Sequence, residues 1–389
     1  MAQNTYHNLV KMHLAVILSF LLLHNICFSQ QVKKAPKILY LSDSCKNDAF
    51  LLFSSLNVCD TNFKTSKVLV DKVYDTPTLS HKKNKIAYLE PCRGTFSGKI
   101  IITDIEGNNK QLIYNCNPNI DSTKRTETYF YLTQPVWSYD DTKLLFIKSK
   151  FEANLDLRDL VKPVICILDL KTKTIDSIKT DEHIYEMYWA NDAKYILYTK
   201  ASYAKNYITG YFNSRGLYGK LFSLNLITKE EKAFTDSTMN IMHIEISPKG
   251  DNILLSQDQL FSMDLDGANK KQFTHFNYTD TLNDKRITYI KWSPDGKKIA
   301  FMYGYYKTNA KVFVMNADGT GLKELSIPKP QRMFGPMMFT WKGDSKSLLV
   351  RYTWTCVENQ LYSVSIDGKP TKQVNNNVNF CENLIIWAE

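Results

Sequence analysis

The chain has 389 residues, 44% apolar and 23% charged, with 23 Tyr and 20 Phe. That composition excludes a disordered or collagen-like chain, and the aromatic load favours pleated sheet, where rings pack across strands. The formal charge of +10 comes from lysines spread along the turns, which reads as a solvated rim and argues against a nucleic-acid partner.

At the N-terminus a polar stretch with Lys11 precedes the apolar run Leu14 to Leu23, and Cys27 and Ser29 stand at −3 and −1 of a cut before Gln30. This predicts a cleaved signal peptide over residues 1–29 and a periplasmic or secreted protein. The run is shorter than the ~20 residues of a bilayer span, so no transmembrane segment is expected once the signal is removed. A lipid anchor on Cys27 is not expected, because His24, Asn25 and Ile26 before it are not small. Residues 30–389 are then one domain, and loss of Lys11 lowers the formal charge by one.

From residue 37 onwards the pattern is that of short strands. "KILYLSDSCKNDAFLLFSSL" and "KVLV" look like strands two to four of a unit that lacks its first. The clearest complete unit is "IKWSPDGKKIAFMYGYYKTNAKVFVMNADGTGLKEL", residues 290–325. It holds a strand ending at Trp292, a Ser-Pro-Asp-Gly turn, a strand Lys298 to Tyr303, a loop, a strand Lys311 to Asn316, an Asp318-Gly319 turn and a last short strand. Asp-Gly supplies the positive φ of a tight hairpin, so each unit is a four-stranded antiparallel meander. Its first-strand anchor recurs at Leu79, Trp137, Trp189, Ile246, Trp292, Trp341 and Trp387. The interval is about 51 residues, close to what a four-stranded blade with loops needs.

The expected fold is therefore all-β: a β-propeller of seven four-stranded blades. The terminal "ENLIIWAE" would join the N-terminal blade as its first strand and close the ring, removing two sheet edges. The repeat, above all residues 290–325, resembles the WD-like repeat of TolB-like propellers and of prolyl oligopeptidase propellers. True WD repeats carry Gly-His and Trp-Asp marks, whereas these Trp are followed by Ser, Ala or Lys. The resemblance implies a fold and little about function. It covers the propeller alone, since no room for TolB's separate α/β domain is expected after Gln30.

Signals of catalysis are sparse. There is no G-x-S-x-G elbow, H-E-x-x-H or Walker loop. His81, His183, His243 and His275 fall in four different repeats, so no metal site and no cofactor is expected. The five repeat Trp read as packing between blades, and Asp266, Asp318 and Asp367 as turn residues rather than calcium ligands.

Departures from the repeat carry more information. With strands named a to d outward, the b–c and d–a loops share one face, and the long insertions fall there: 149–162, 200–220, 303–311, 328–339 and 353–360. Aromatics and Arg on loops over a rigid scaffold suit recognition. The candidate ligand-binding residues are Tyr203, Tyr207, Tyr211, Phe212, Arg215, Tyr305, Tyr306 and Trp354. An oxidising compartment favours disulfides; the candidates are Cys92 with Cys116 and Cys356 with Cys381, with Cys45 competing for Cys381, while Cys166 inside an apolar strand reads as a buried free thiol. The expected function is an exported, non-enzymatic binding or scaffold propeller that recognises a protein or glycan partner through its loop face. The alternative is a carbohydrate-active lyase or glycosidase, or a peptidase-related propeller, acting at the central channel.

Overall fold

The protein is seen in a computed structural model that describes residues 37–42, 54–61, 63–91, 97–115, 128–152, 161–180, 183–190, 193–201, 220–235, 241, 243–256, 258–276, 286–304, 310–330, 335–353, 359–374 and 385–388. Among them every regular element is a strand. Strands β1 (Lys37–Ser42), β2 (Ser54–Asp60) and the first part of β3 (Ser66–Leu79) make the first blade. The rest of β3, β4 (Lys85–Pro91), β5 (Ser97–Asp104) and β6 (Gln111–Asn115) make the second. In the third, β7 (Thr128–Leu132) and β8 (Val136–Trp137) both pair with β9 (Lys143–Glu152), followed by β10 (Val161–Asp169) and β11 (Ile175–Lys179). Pro135 divides this inner strand because it has no N–H for the ladder.

The remaining blades are regular meanders. The fourth is β12 (His183–Trp189), β13 (Tyr195–Ala201), β14 (Lys220–Asn225) and β15 (Glu231–Ala233). The fifth is β16 (His243–Ile246), β17 (Asn252–Ser256), β18 (Leu260–Asp264) and β19 (Lys271–Gln272). The sixth is β20 (Ile287–Trp292), β21 (Lys298–Tyr303), β22 (Lys311–Asn316) and β23 (Lys323–Glu324). The seventh is β24 (Pro336–Trp341), β25 (Ser347–Thr353), β26 (Asn359–Ser365) and β27 (Lys372–Val374).

The last strand, β28 (Ile385–Ala388), returns to the first blade and pairs antiparallel with β1, Ile38 opposite Trp387. The closure read from the two ends of the chain is thus the observed one. A core cluster lies at every junction, and one of them packs Ile38, Tyr40, Cys59 and Phe63 of the first blade against Met338, Leu349 and Leu361 of the seventh. A ring closed by apolar packing leaves no blade with a bare face.

One element differs from the sequence expectation, which ends the first blade at "KVLV". Instead β3 runs unbroken for 14 residues, leaving β2 after Val73 and pairing with β4 from Tyr74. Val73, Thr76 and Thr78 keep it extended because β-branched side chains are stiff and strand-favouring.

Turn chemistry explains the repeated serine. Ser80, Ser138, Ser247 and Ser293 are buried at the end of their inner strands. Each Oγ accepts the N–H of the residue opening the next strand: Lys85, Lys143, Asn252 and Lys298, at 2.9–3.2 Å. The turn also needs one residue with positive φ, which is Gly250 or Gly296 in two blades and Lys83, Asp141, Ala193 or Ser345 in four others. The tryptophans stitch neighbouring blades together. The indole N–H of Trp137 donates to Thr78 O at 3.2 Å, that of Trp189 to Val136 O at 3.1 Å, and that of Trp341 to Lys291 O at 3.1 Å. Their packing role is therefore joined by a polar one.

Candidate functional site

Residues i and i+2 of a strand point to one side, so the inner strands present two tiers to the ring axis. The tier just before each anchor is Thr78, Val136, Tyr188, Glu245, Lys291 and Thr340; the next holds Thr76, Gln134, Glu186, His243 and Tyr289. Together they line a cavity of about 810 Å³ along that axis. The wall is divided. Three adjacent blades supply Glu186, Tyr188, His243, Glu245, Tyr289 and Lys291, whereas the opposite side offers threonines, Gln134 and Val136.

The charged side is organised by Lys291, whose Nζ donates to Glu245 Oε2 at 2.7 Å. The Lys291 side chain is 45% open and that of Glu245 20%, because water-sized molecules enter the channel while protein encloses the pair on the scale of the ring. Burial pushes the Glu245 carboxyl up, and the Lys291 charge and hydrogen bond only partly offset it. For Lys291, burial works to lower the pKa, but Glu245, Tyr289 and Glu186 outweigh it and the net shift is upward. Glu186 accepts the Tyr188 hydroxyl on Oε2 at 2.8 Å, and that hydroxyl also lies 3.0 Å from Ile244 O. Burial raises the Glu186 carboxyl, the Tyr188 bond and Lys291 work against this, and Glu245 adds to it. Desolvation disfavours the charged form of a carboxyl in this way wherever compensation is incomplete.

His243 is held neutral: burial first, then the Lys291 charge, bring it down to about 4. Tyr289 is raised chiefly by burial. It occupies a bulge between Thr288 and Lys291 with φ +56°, a left-handed backbone that a bulky residue adopts only under constraint. Its ring meets Phe339 edge-on, centroids 5.3 Å apart.

None of these channel residues is among the loop candidates. Tyr203, Tyr207, Tyr211, Phe212, Arg215, Tyr305, Tyr306 and Trp354 lie outside the described residues, as do Cys45, Cys92, Cys116, Cys356, Cys381 and residues 1–29. Cys166 is a buried free thiol, as is Cys59, whose pKa burial and Asp60 push up to about 12. His243, one of four histidines spread over four repeats, faces the cavity together with two glutamates and a lysine. A signal existed: in "MYWANDAK", "IEISPKGD" and "IKWSPDGK" the residue before the anchor is Tyr, Glu or Lys where the same place elsewhere is Thr, Val or Ile.

No family model and no curated protein matches the chain. Among solved structures it is similar to an oligogalacturonate lyase in complex with manganese, at 12% identity and a TM-score of 0.59 over 80% of this chain and 82% of that one. It is also similar to the β-propeller domain of the Trilobed protease from Pyrococcus furiosus, at 13% identity and a TM-score of 0.54 over 87% and 94%. That domain is described as having an open velcro topology, whereas here β28 pairs with β1. TolB from Acinetobacter baumannii aligns over 92% of this chain and 84% of its own, at 15% identity and a TM-score of 0.44. The likeness to the lyase and to the protease domain is one of fold, the β-propeller.

Proposed function

We propose that the protein is an exported binding propeller that seats a polar group of a glycan or protein partner in its central channel. The observation that carries this reading is the convergence of unused polar groups on one cavity. The Tyr289 hydroxyl and the His243 imidazole line it without a hydrogen bond of their own among the described residues, beside the Glu186 carboxyl. Polar groups that line a cavity without a protein partner are free to exchange their solvent for the donors and acceptors of a ligand. Glu186, His243 and Tyr289 form the tier nearer the d–a end of the ring. The b–c connections that carry Tyr207, Tyr211 and Trp354 leave their sheets at that same end, so loop and channel would act on one ligand.

The test is a screen of the full chain on glycan and peptide arrays, with Tyr289→Phe and His243→Gln as channel variants. A ligand whose binding drops with both variants supports the channel. A ligand indifferent to both, and lost on deleting residues 202–219, moves recognition to the loops alone.

One observation keeps an enzymatic reading alive, that of a carbohydrate-active lyase or glycosidase. Two carboxyls with raised pKa, Glu186 and Glu245, face one cavity, and a carboxyl tuned towards neutral can give or take a proton. Product formation on the bound glycan, abolished by Glu186→Gln, would favour this reading over simple binding.

A further inference from the structure

We propose that the channel recognises a primary ammonium group and that its ligand is a hydroxylated amine of the amino-sugar class. This rests on the channel being the binding site. On the cavity wall itself two carboxylates, Glu186 and Glu245, face one cation, Lys291. Lys291 is committed to Glu245 at 2.7 Å, so Glu186 keeps only the Tyr188 hydroxyl. Arg351 is buried in β25, outside the cavity lining, and its charge acts on Tyr289. His243 stays neutral and adds no cation.

The groups left over are the second oxygen of Glu186, which only accepts, and the His243 imidazole and Tyr289 hydroxyl, each of which accepts one bond and donates another; an amine bearing hydroxyls meets both needs. An ammonium brings three N–H donors and no acceptor, and a hydrogen bond between ions is stronger than one between neutral groups. Tyr188, Tyr289 and Phe339 line the same cavity, and aromatic rings attract a desolvated cation. Away from the charged side the lining carries Thr76, Thr78 and Gln134, and Thr340 borders Lys291 from the next blade; the Thr78 hydroxyl donates to Pro135 O at 2.7 Å, and a hydroxyl that donates can still accept from a sugar hydroxyl. A carboxylated sugar would instead meet Glu186 as a like charge. A metal ion fits less well, because the described residues hold no group of three or more metal-ligating side chains.

The experiment is calorimetric titration of the full chain with a glucosamine trimer, its N-acetylated counterpart, a galacturonate trimer and free lysine. The glucosamine trimer should bind about tenfold or more tightly than the acetylated one, the scale of a lost charge-assisted hydrogen bond. Glu186→Gln should abolish that preference, while Glu186→Asp, which keeps the charge, should retain part of it. A near-ultraviolet spectrum matching the unmutated chain qualifies each variant. Equal binding of free and acetylated amines, or a preference that survives Glu186→Gln, overturns the ammonium assignment while leaving the channel reading in place. Lysine binding as tightly as the glucosamine trimer overturns the amino-sugar class and keeps the ammonium. No heat with any amine overturns the inference outright, and the channel reading is then judged by the array screen alone.

Discussion

Lys291 Nζ lies 2.7 Å from Glu245 Oε2 across the junction of the fifth and sixth blades, and no other ion pair of the described residues lies in the channel lining. An enclosed pair is held by mutual compensation, so removing one partner leaves the other without it. Lys291→Met should destabilise the fold by roughly 1–3 kcal/mol, less than for a dry pair because channel water screens it. Adding Glu245→Leu should recover most of that loss. Urea melts of both variants check this, and a double variant as weak as the single one would contradict it.

The indole stitches make a graded prediction. Trp341 donates to Lys291 O, whereas Trp292 is buried with no partner for its Nε1. Both lose similar volume on change to Phe, but Trp341→Phe also leaves a carbonyl unpaired. It should cost about 1 kcal/mol more than Trp292→Phe. The difference in denaturation midpoint is the readout.

Two glycines with similar backbone separate strain from contact. Gly319 has φ +88°, and a Cβ there would lie 2.6 Å from the Phe273 ring of the neighbouring blade. Gly368 has φ +79° with nothing within 4 Å. Gly368→Ala should cost about 1–2 kcal/mol from the left-handed backbone alone. Gly319→Ala should cost a further ~1–3 kcal/mol for crowding. Equal melting temperatures would show that Phe273 moves aside freely.

His243 makes stability depend on pH. Its folded pKa of about 4 lies below the ordinary imidazole value of 6.5, so the unfolded chain binds the proton more readily. Its contribution is fully present above pH 6.5 and is lost as pH falls from 6.5 to 4. The loss is at most about 3 kcal/mol, reduced by channel water. His243→Gln should flatten this part of the pH profile of stability relative to the unmutated chain. An unchanged profile would mean that the imidazole is solvated in the folded state.

The loop candidates remain to be tested by function. Tyr207→Ala with Tyr211→Ala should weaken binding of the ligand identified on the arrays and leave the melting temperature nearly unchanged. Loss of folding would instead place these rings in the packed core.

The blade repeat, its turns and the closing strand were legible in the sequence because each rests on local chemistry. A strand, a Ser-x-x-Gly turn and an Asp-Gly hairpin are satisfied within one repeat, so the pattern at 290–325 recurs wherever the same local problem is solved. The order in which β28 finds β1 follows from counting strands. The course of β3 was less legible, since no glycine or turn marks the place where it passes from one blade to the next.

The channel was decided by tertiary structure. Glu186, Glu245 and Lys291 lie 59 and 46 residues apart in sequence, and each looks like an ordinary alternate position of a half-exposed strand. Packing of the fourth, fifth and sixth blades against one another sets their inner strands side by side, and the rest of the ring then encloses their charges and turns scattered residues into one site. The bulge that sets Tyr289 at positive φ follows from the same packing, because a left-handed aromatic persists only where its surroundings over-determine it.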